Sequence, residues 1–185
     1  MNNSINIINT PLTGEVIMRL KAGDRVLISG IIYTARDAAH KRMIEALKEG
    51  KELPFDVKGQ ILYYAGPCPP KPPKQFGSCG PTTGFRMDAY TPELLNSGLK
   101  GMIGKGQRTP AVIESIIENK AIYFAAVGGA AAIISKSVIK ADVIAYEDLG
   151  PEAIYRLEVK DFPCIVAVDS EGNDIYKTGP TLYKK

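Results

Sequence analysis

Three short segments of the sequence each combine a cationic side chain with glycine or threonine. They read TARDAAH, GPTTGFRMD and GKGQR, and the cations that stand out in them are Arg36, Arg86 and Lys105. Glycine lets the backbone approach a ligand closely, and guanidinium and ammonium groups bind anions. Three fixed cations suit a small dicarboxylate better than a long polyanion. These residues therefore predict a binding site for a small anion.

The hydroxyl of Thr82 has two possible roles. It follows the Gly80-Pro81 pair, which is typical of a turn, so Thr82 could cap a short helix. Arg86 would then lie about one turn later, either as a solvated side chain or beside an anion attracted to the helix start. The local sequence alone leaves both roles open.

Other catalytic and metal-binding patterns are absent from the sequence. GLKGMIGKG departs from the phosphate-loop motif because Gly106 follows Lys105, and no G-x-S-x-G occurs. His40 is the only histidine, and we expect it on the surface or behind a site rather than as a base. The cysteines are three in number and widely spaced, so we expect neither a disulfide framework nor a self-contained metal site: Cys68, Cys79 and Cys164.

Composition excludes several classes of function. The 185 residues are 45% hydrophobic, enough for one good core, and the formal net charge is only +3. That charge is too small to predict a nucleic-acid binder, and the KPPK segment lacks interleaved aromatic residues. The N-terminus does not resemble a secretory signal, and no run of about 18 apolar residues predicts a membrane helix. The expected location is the cytoplasm.

The elements that must position these cations alternate in type. Residues 15–20, 25–33 and 60–65 are predicted strands. Between the last two, Ala39 and Met43 lie on one face of a predicted helix that ends near Gly50. The expected N-cap of this helix is Thr34 or Asp37. The proline-rich segment after the third strand is predicted to be either a linker or an ordered functional loop.

The second half of the chain alternates strands and helices. Two Thr-Pro pairs, at Thr91 and Thr109, predict helix starts. GMIG and AIYFAAV are predicted strands, Gly128-Gly129 lead into a small helix, and ADVIAYED, AIYRLEV and CIVAVD follow as strands. We therefore predict an α/β fold with β-rich ends and a βαβα centre, in one domain over residues 1–185.

Five motifs together resemble one protein family. ARDAAH, YYAGP, GPTTGFRMD, GMIGKGQR and YFAAVGGAAA occur in the order and spacing of the β subunit of class I fumarate hydratase. The same segment forms the C-terminal part of single-chain enzymes, and the β subunit of L(+)-tartrate dehydratase belongs to the same family. The resemblance runs from about Leu12 to Tyr176. It implies a swivelling β/β/α domain and an iron–sulfur hydro-lyase that interconverts fumarate and (S)-malate.

The resemblance also implies roles for individual residues. Arg36, Arg86 and Lys105 match residues that bind the substrate, and Thr82 matches a threonine that transfers a proton together with an aspartate of the α portion. Two positions depart from the family pattern: Phe85 precedes Arg86 where a small residue is frequent, and Gln107 stands where asparagine is common. Both departures leave open the choice between fumarate and tartrate.

The family resemblance further implies a partner and a cofactor. A [4Fe-4S] cluster is bound by three cysteines of the α subunit, with its fourth iron open to substrate, so this chain is expected to supply no metal ligand. The expected assembly is α2β2, with no nucleic acid and no membrane. A different class of function is a non-catalytic module that binds regulatory anions through the same three cations.

Overall fold

The computed structural model describes residues 4–68, 77–126 and 131–183. The sequence predicts either a linker or an ordered loop for the proline-rich segment, and a strand-to-helix connection at Gly128-Gly129. Most of that segment and the glycine pair lie outside these residues. Over the described ranges, no helix combines the length and the apolar character needed to span a membrane.

Helices and strands alternate through much of the described chain. The strands are β1 (Ile5–Asn9), β2 (Arg25–Thr34), β3 (Ile61–Tyr63), β4 (Gly101–Gly104), β5 (Ile122–Ala125), β6 (Val138–Ala145) and β7 (Ile154–Val168). The α-helices are α1 (Gly14–Arg19), α2 (Asp37–Lys48), α3 (Thr91–Asn96), α4 (Pro110–Glu118), α5 (Ala131–Ile134) and α6 (Ile175–Tyr183). Short 3₁₀-helices cover Gly84–Met87, Ser135–Ser137 and Glu147–Glu152.

The strands of the described chain form one mixed sheet in the order β1-β2-β3-β4-β5-β7-β6. Consecutive strands from β1 to β5 pair in parallel. Strand β7 runs antiparallel to β2, β5 and β6. Because β2 pairs with β7 as well as with β3, strands β2, β3, β4, β5 and β7 close into a ring of hydrogen-bonded neighbours.

Alternate residues of the central strands belong to two hydrophobic cores. One, the strand core, joins side chains of the ring strands, including Tyr63 and Phe124. The other, the helix core, contains Leu62 and Tyr123 packed with residues of the helices, such as Met43 of α2. Strands buried on both faces read as continuous apolar runs, which is the pattern that GMIG and AIYF show in the sequence.

The α/β class is confirmed, with differences at both ends of the chain. Residues 15–20 were a predicted strand, but they lie largely in helix α1, where the Thr13 hydroxyl accepts a hydrogen bond from Val16 N at 3.4 Å. Strand β1 before that helix was not predicted. Towards the C-terminus, β6 and β7 are strands as predicted, but helix α6, which was not predicted, follows the SEGND turn.

The predicted strands AIYRLEV and CIVAVD are one strand, β7, with Asp161 at a positive φ of 52° where they join. Helix α2 also starts differently from expectation. Arg36 occupies its N-cap position without a side-chain cap, because Thr34 ends β2 and Asp37 is already helical.

Candidate functional site

The segments that carry the predicted site residues meet at one edge of the sheet. The parallel strands β2, β3 and β4 end there, and Arg36 and Lys105 follow the ends of β2 and β4. Because parallel strands run in the same direction, their carboxyl ends lie side by side, which is where both open and closed α/β sheets bind ligands. We refer to this region as the carboxyl edge.

The segment around Thr82 lies between the ends of β3 and β4. Thr82 N donates a hydrogen bond to Tyr64 O at 2.6 Å, and Thr82 O accepts one from Lys105 N at 3.2 Å. Gly84 N then donates to Lys105 O at 2.7 Å, and Thr83 forms a parallel bridge with Lys105. Backbone hydrogen bonds therefore hold Thr82 beside Lys105 at the carboxyl edge.

The side chain of Thr82 is half-buried and does not cap a helix. Thr83, not Thr82, occupies the N-cap position of the 3₁₀-helix Gly84–Met87, and its side chain makes no cap hydrogen bond. Thr82 Oγ1 has no hydrogen-bond partner among the described residues. The capping role that the sequence allowed is therefore wrong, and within the described chain the hydroxyl is available to a ligand.

Arg36 lies at the start of α2 with about a quarter of its side chain exposed. Its Nη2 is 3.2 Å from Glu152 Oε1, and Glu152 Oε2 accepts a hydrogen bond from Ala38 N at 3.0 Å. Arg36 Nε is buried and lacks a partner in the described chain. Glu152 thus holds one side of the guanidinium while another donor stays unsatisfied.

Arg86 pairs with the residue that follows Arg36 in the sequence. Its Nε donates to Asp37 Oδ1 at 3.0 Å and its Nη2 to Asp37 Oδ2 at 2.8 Å. Both side chains are partly exposed. The structure therefore connects the Arg36 and Arg86 segments directly, through Asp37.

Lys105 is exposed, and no ion pair involves it in the described chain. Its neighbour Gly106 has a φ of +80°, and Gly106 N donates to the Tyr176 hydroxyl of α6 at 3.0 Å. At Gly104 an added Cβ would lie 2.9 Å from the Tyr123 hydroxyl oxygen. Both glycines are thus required locally, one for its backbone angle and one for its close packing.

A buried ion pair holds the two loops together, and sequence reasoning missed it. Arg108 Nε donates to Asp88 Oδ1 at 2.6 Å, and the Arg108 side chain is fully buried. Asp88 Oδ2 accepts from Thr109 N at 2.7 Å, at the start of α4. The Arg108 guanidinium carbon also lies 4.7 Å from the centre of the Tyr123 ring. The sequence marked these two residues only by their position: Asp88 is the last residue of GPTTGFRMD, and Arg108 is the last residue of GKGQR.

His40 is buried behind Arg36 rather than exposed. Its Nδ1 lies 2.9 Å from the carbonyl oxygen of Arg36, so Nδ1 carries the proton and donates this hydrogen bond. Burial is the main cause that lowers the pKa of His40 to about 4, and the charge of Arg108 lowers it further. The ring is therefore neutral at pH 7, and it supports the backbone that carries Arg36.

The cysteines do not assemble into a cluster site. Cys68 is exposed, whereas Cys79 and Cys164 are buried. Burial raises the pKa of Cys79 to about 12 and also raises the pKa of Cys164, which disfavours the thiolate form that binds metals. Across the described ranges, no group of three or more histidine, cysteine or acidic residues is arranged to hold a metal ion.

A surface cavity of about 540 Å³ lies away from these residues. It is lined by residues that precede β3, β4 and β5, including Lys58, Lys100 and Lys120. It therefore opens at the amino ends of the parallel strands and contains none of the four predicted site residues.

Comparison with known proteins shows which family this chain belongs to. The pattern of the family described as "Fumarase C-terminus" matches residues 1–179. The chain belongs to this family. This confirms the family resemblance that the five sequence motifs indicated.

Individual relatives are named as a tartrate dehydratase subunit or as fumarate hydratases. The chain is 41% identical over 181 residues to the "Putative L(+)-tartrate dehydratase subunit beta" of Methanocaldococcus jannaschii, covering 94% of this chain and 93% of that protein. It is 38% identical to the anaerobic class I fumarate hydratase of Escherichia coli and 38% identical to fumarate hydratase 2 of Leishmania major. These matches cover 92% and 88% of this chain but only 32% and 29% of the relatives. The chain thus spans about a third of the fumarate hydratases it matches.

Proposed function

We propose that this chain is the β-type component of an iron–sulfur hydro-lyase that reversibly hydrates fumarate to (S)-malate. The observation that carries the proposal is the position of Arg36, Thr82, Arg86 and Lys105 on segments that meet at the carboxyl edge, in a member of the fumarase C-terminal family. The names of relatives support the reaction, since several of them are fumarate hydratases.

In this proposal the cations bind the two carboxylates of the substrate. Removal of a proton next to a carboxylate increases negative charge on that carboxylate in the transition state. Preorganised cations stabilise this charge more than they stabilise the ground state. Arg36, with an unsatisfied buried Nε, and Lys105, with no ion pair in the described chain, are the groups most available for this role.

Thr82 moves the proton in this proposal. A threonine hydroxyl is a weak base at its ordinary pKa, so it needs an acceptor for its own proton and nearby positive charge. The backbone hydrogen bond between Lys105 N and Thr82 O keeps the lysine segment adjacent. The acceptor in this proposal is an aspartate of the α subunit, in line with the family resemblance.

The [4Fe-4S] cluster is assigned to the α subunit. Within the described part of this chain, buried cysteines with raised pKa values and the lack of a metal-ligand group do not fit cluster ligation. The matched third of the fumarate hydratases leaves about two thirds of their length for the α portion. We propose that residues 1–185 act as one swivelling domain against that portion, in an α2β2 assembly.

A second candidate reaction is dehydration of L(+)-tartrate. The relative named as a subunit beta of that enzyme is similar in length to this chain, and it is 41% identical. Tartrate carries one more hydroxyl than malate but the same two carboxylates. The same cations would therefore serve either substrate, and Phe85 and Gln107 are the positions where a preference could arise.

One experiment tests the proposed function and the choice of substrate. The chain is co-expressed anaerobically with the α chain encoded in the same genome, and the purified complex is assayed on (S)-malate and on both enantiomers of tartrate. We expect activity from the complex and none from either chain alone, with (S)-malate the better substrate. A complex that binds these anions without converting any of them would instead support the regulatory anion-binding module.

A further inference from the structure

The Asp37–Arg86 pair uses one particular side of the arginine. Asp37 accepts from Nε and from Nη2, which are the donors along the side of the guanidinium. Arginine has five N–H donors in a rigid plane, so this contact leaves the end of the group, formed by Nη1 and the second Nη2 proton, unused. In the described chain, no residue other than Asp37 forms a hydrogen bond or ion pair with the side chain of Arg86.

The free end of Arg86 has the geometry that a second carboxylate requires. A carboxylate binds a guanidinium best through two parallel N–H···O bonds, and the end-on pair of donors offers this arrangement. Asp37 on the side and a ligand carboxylate at the end can therefore bind the same arginine at once. Asp37 does not block the ligand, because it contacts a different pair of donors.

The position of Asp37 is itself well defined. It is the first residue of α2, and Glu152 holds the next residue by accepting a hydrogen bond from Ala38 N at 3.0 Å. A carboxylate at this point also interacts favourably with the helix dipole. Asp37 thus fixes the short 3₁₀-helix that carries Arg86 relative to the start of α2, where Arg36 lies.

We propose that Asp37 is a positioning residue for dicarboxylate binding. It holds Arg86 side-on so that the end of the guanidinium faces the substrate carboxylate, in fixed relation to Arg36. This proposal rests on the proposed function, because it assumes that Arg86 binds the substrate. It adds a residue outside the four site residues and states which donors of Arg86 the substrate uses.

The test compares Asp37→Asn, Arg86→Met and the double variant in the reconstituted complex, with kcat and KM measured for (S)-malate. Asparagine keeps the size of the side chain but removes the charge and one acceptor, so Arg86 loses its two-bond contact. We expect Asp37→Asn to raise KM about tenfold while kcat changes less than about threefold, since positional freedom of a binding cation mainly weakens binding. Asp37→Glu should recover part of the lost affinity.

The double variant separates a positioning role from a direct one. If Asp37 acts through Arg86, adding Asp37→Asn to Arg86→Met should cause no further rise in KM. Asp148→Asn is the matched control, because Asp148 binds Arg42 of the same helix through two hydrogen bonds of 2.7 and 2.5 Å at the surface. We expect this control to leave KM unchanged.

Three results would overturn the proposal. A lower KM for Asp37→Asn would mean that the aspartate competes with the substrate for Arg86. Additive effects of Asp37→Asn and Arg86→Met would mean that the aspartate does not act through the arginine, while the proposed function would stand. An unchanged KM for Arg86→Met alone would instead remove Arg86 from the binding site and contradict that part of the proposed function.

Discussion

Arg36 is the one of the four site residues with a buried side-chain donor that has no partner in the described chain. Glu152 contacts Nη2 at 3.2 Å, but Nε is buried without a partner. A buried donor left unpaired costs free energy, so it is expected to bind a ligand when one is present. The added Cβ of any residue at Gly66 would lie 3.2 Å from Arg36 Nη1, which shows how closely the backbone surrounds this side chain.

Arg36→Lys is therefore not a conservative change. Lysine keeps the charge but offers a point charge without the planar fork, so a two-bond carboxylate contact is lost. We expect kcat/KM for (S)-malate in the reconstituted complex to fall by the equivalent of about 2–4 kcal/mol, the range for losing one partner of a desolvated charged contact.

Arg42→Lys provides the control for that measurement. Arg42 also lies on α2 and pairs with Asp148, but at the exposed surface. Exposed ion pairs contribute little, so we expect its kcat/KM to stay within about twofold of wild type. Equal effects of the two substitutions would show that Arg36 has no special role.

At the scale of elements, the ion pair of Asp88 and Arg108 connects the two loops that carry Thr82, Arg86 and Lys105. The Arg108 side chain is fully buried, so removal of Asp88 leaves a buried charge without its partner. Asp88 also accepts from Thr109 N, which fixes the start of α4. Asp88 therefore adds a buried side-chain contact to the backbone hydrogen bonds that join the two loops.

Asp88→Ala should destabilise the fold strongly. Breaking a buried ion pair by removing one partner costs about 3–5 kcal/mol. The free energy of unfolding from urea titration measures this cost. The control is Asp142→Ala, which removes an exposed partner of Lys140 at 2.8 Å and should cost no more than about 1 kcal/mol. A loss for Asp88→Ala as small as for the control would contradict the connecting role.

Local patterns in the sequence predicted much of the element order but not the contacts between elements. Continuous apolar runs correctly indicated β4 and β5, and the Thr-Pro pairs lie at the starts of α3 and α4. Helix α1 was mistaken for a strand, because its six residues are too few to show a clear helical period. The closing of the strand ring through β2 and β7 also has no local signal.

The sequence could predict only those parts of the candidate site that consist of residues close together in the chain. Cation and glycine patterns indicated the segments at the carboxyl edge. The contacts of Arg36 with Glu152 and of Arg86 with Asp37 join residues far apart in the chain. Such contacts follow from the packing of α2 against its neighbours, which a single sequence does not reveal.

At the scale of the whole molecule, His40 couples folding to pH. It is fully buried, and its pKa of about 4 is below the usual value of 6.5. The unfolded chain therefore binds a proton at mildly acidic pH that the folded chain excludes. The stability linked to His40 is complete above the unfolded pKa and is lost as the pH falls from there towards about 4.

The pH dependence of unfolding tests this coupling. Between about pH 7 and pH 5, wild type should lose about 2 kcal/mol through His40, because stability falls by about 1.4 kcal/mol for each pH unit below the unfolded pKa. His40→Asn keeps a donor near the Nδ1 position but does not titrate. It is expected to be less stable at pH 7 yet to lose less stability on acidification. Parallel pH dependences of the two proteins would contradict the assignment.

The central role proposed for this chain is proton transfer by Thr82, and Thr83 is its matched control. Successive residues of an extended segment point to opposite faces, so the two hydroxyls cannot serve one site equally. Thr83 bridges to Lys105, and its Cγ2 would lie 3.4 Å from a Cβ added at Gly106, which fits a structural role.

The most direct measurement is kcat for (S)-malate in the anaerobically reconstituted complex carrying Thr82→Val, Thr82→Ser or Thr83→Val. We predict that Thr82→Val lowers kcat by about 10²–10⁴-fold, as expected for a lost acid–base group, with KM little changed. Thr82→Ser should keep part of kcat, and Thr83→Val should keep most of it. A Thr82→Val complex that retains wild-type kcat and only melts at a lower temperature would contradict the proposed role of Thr82.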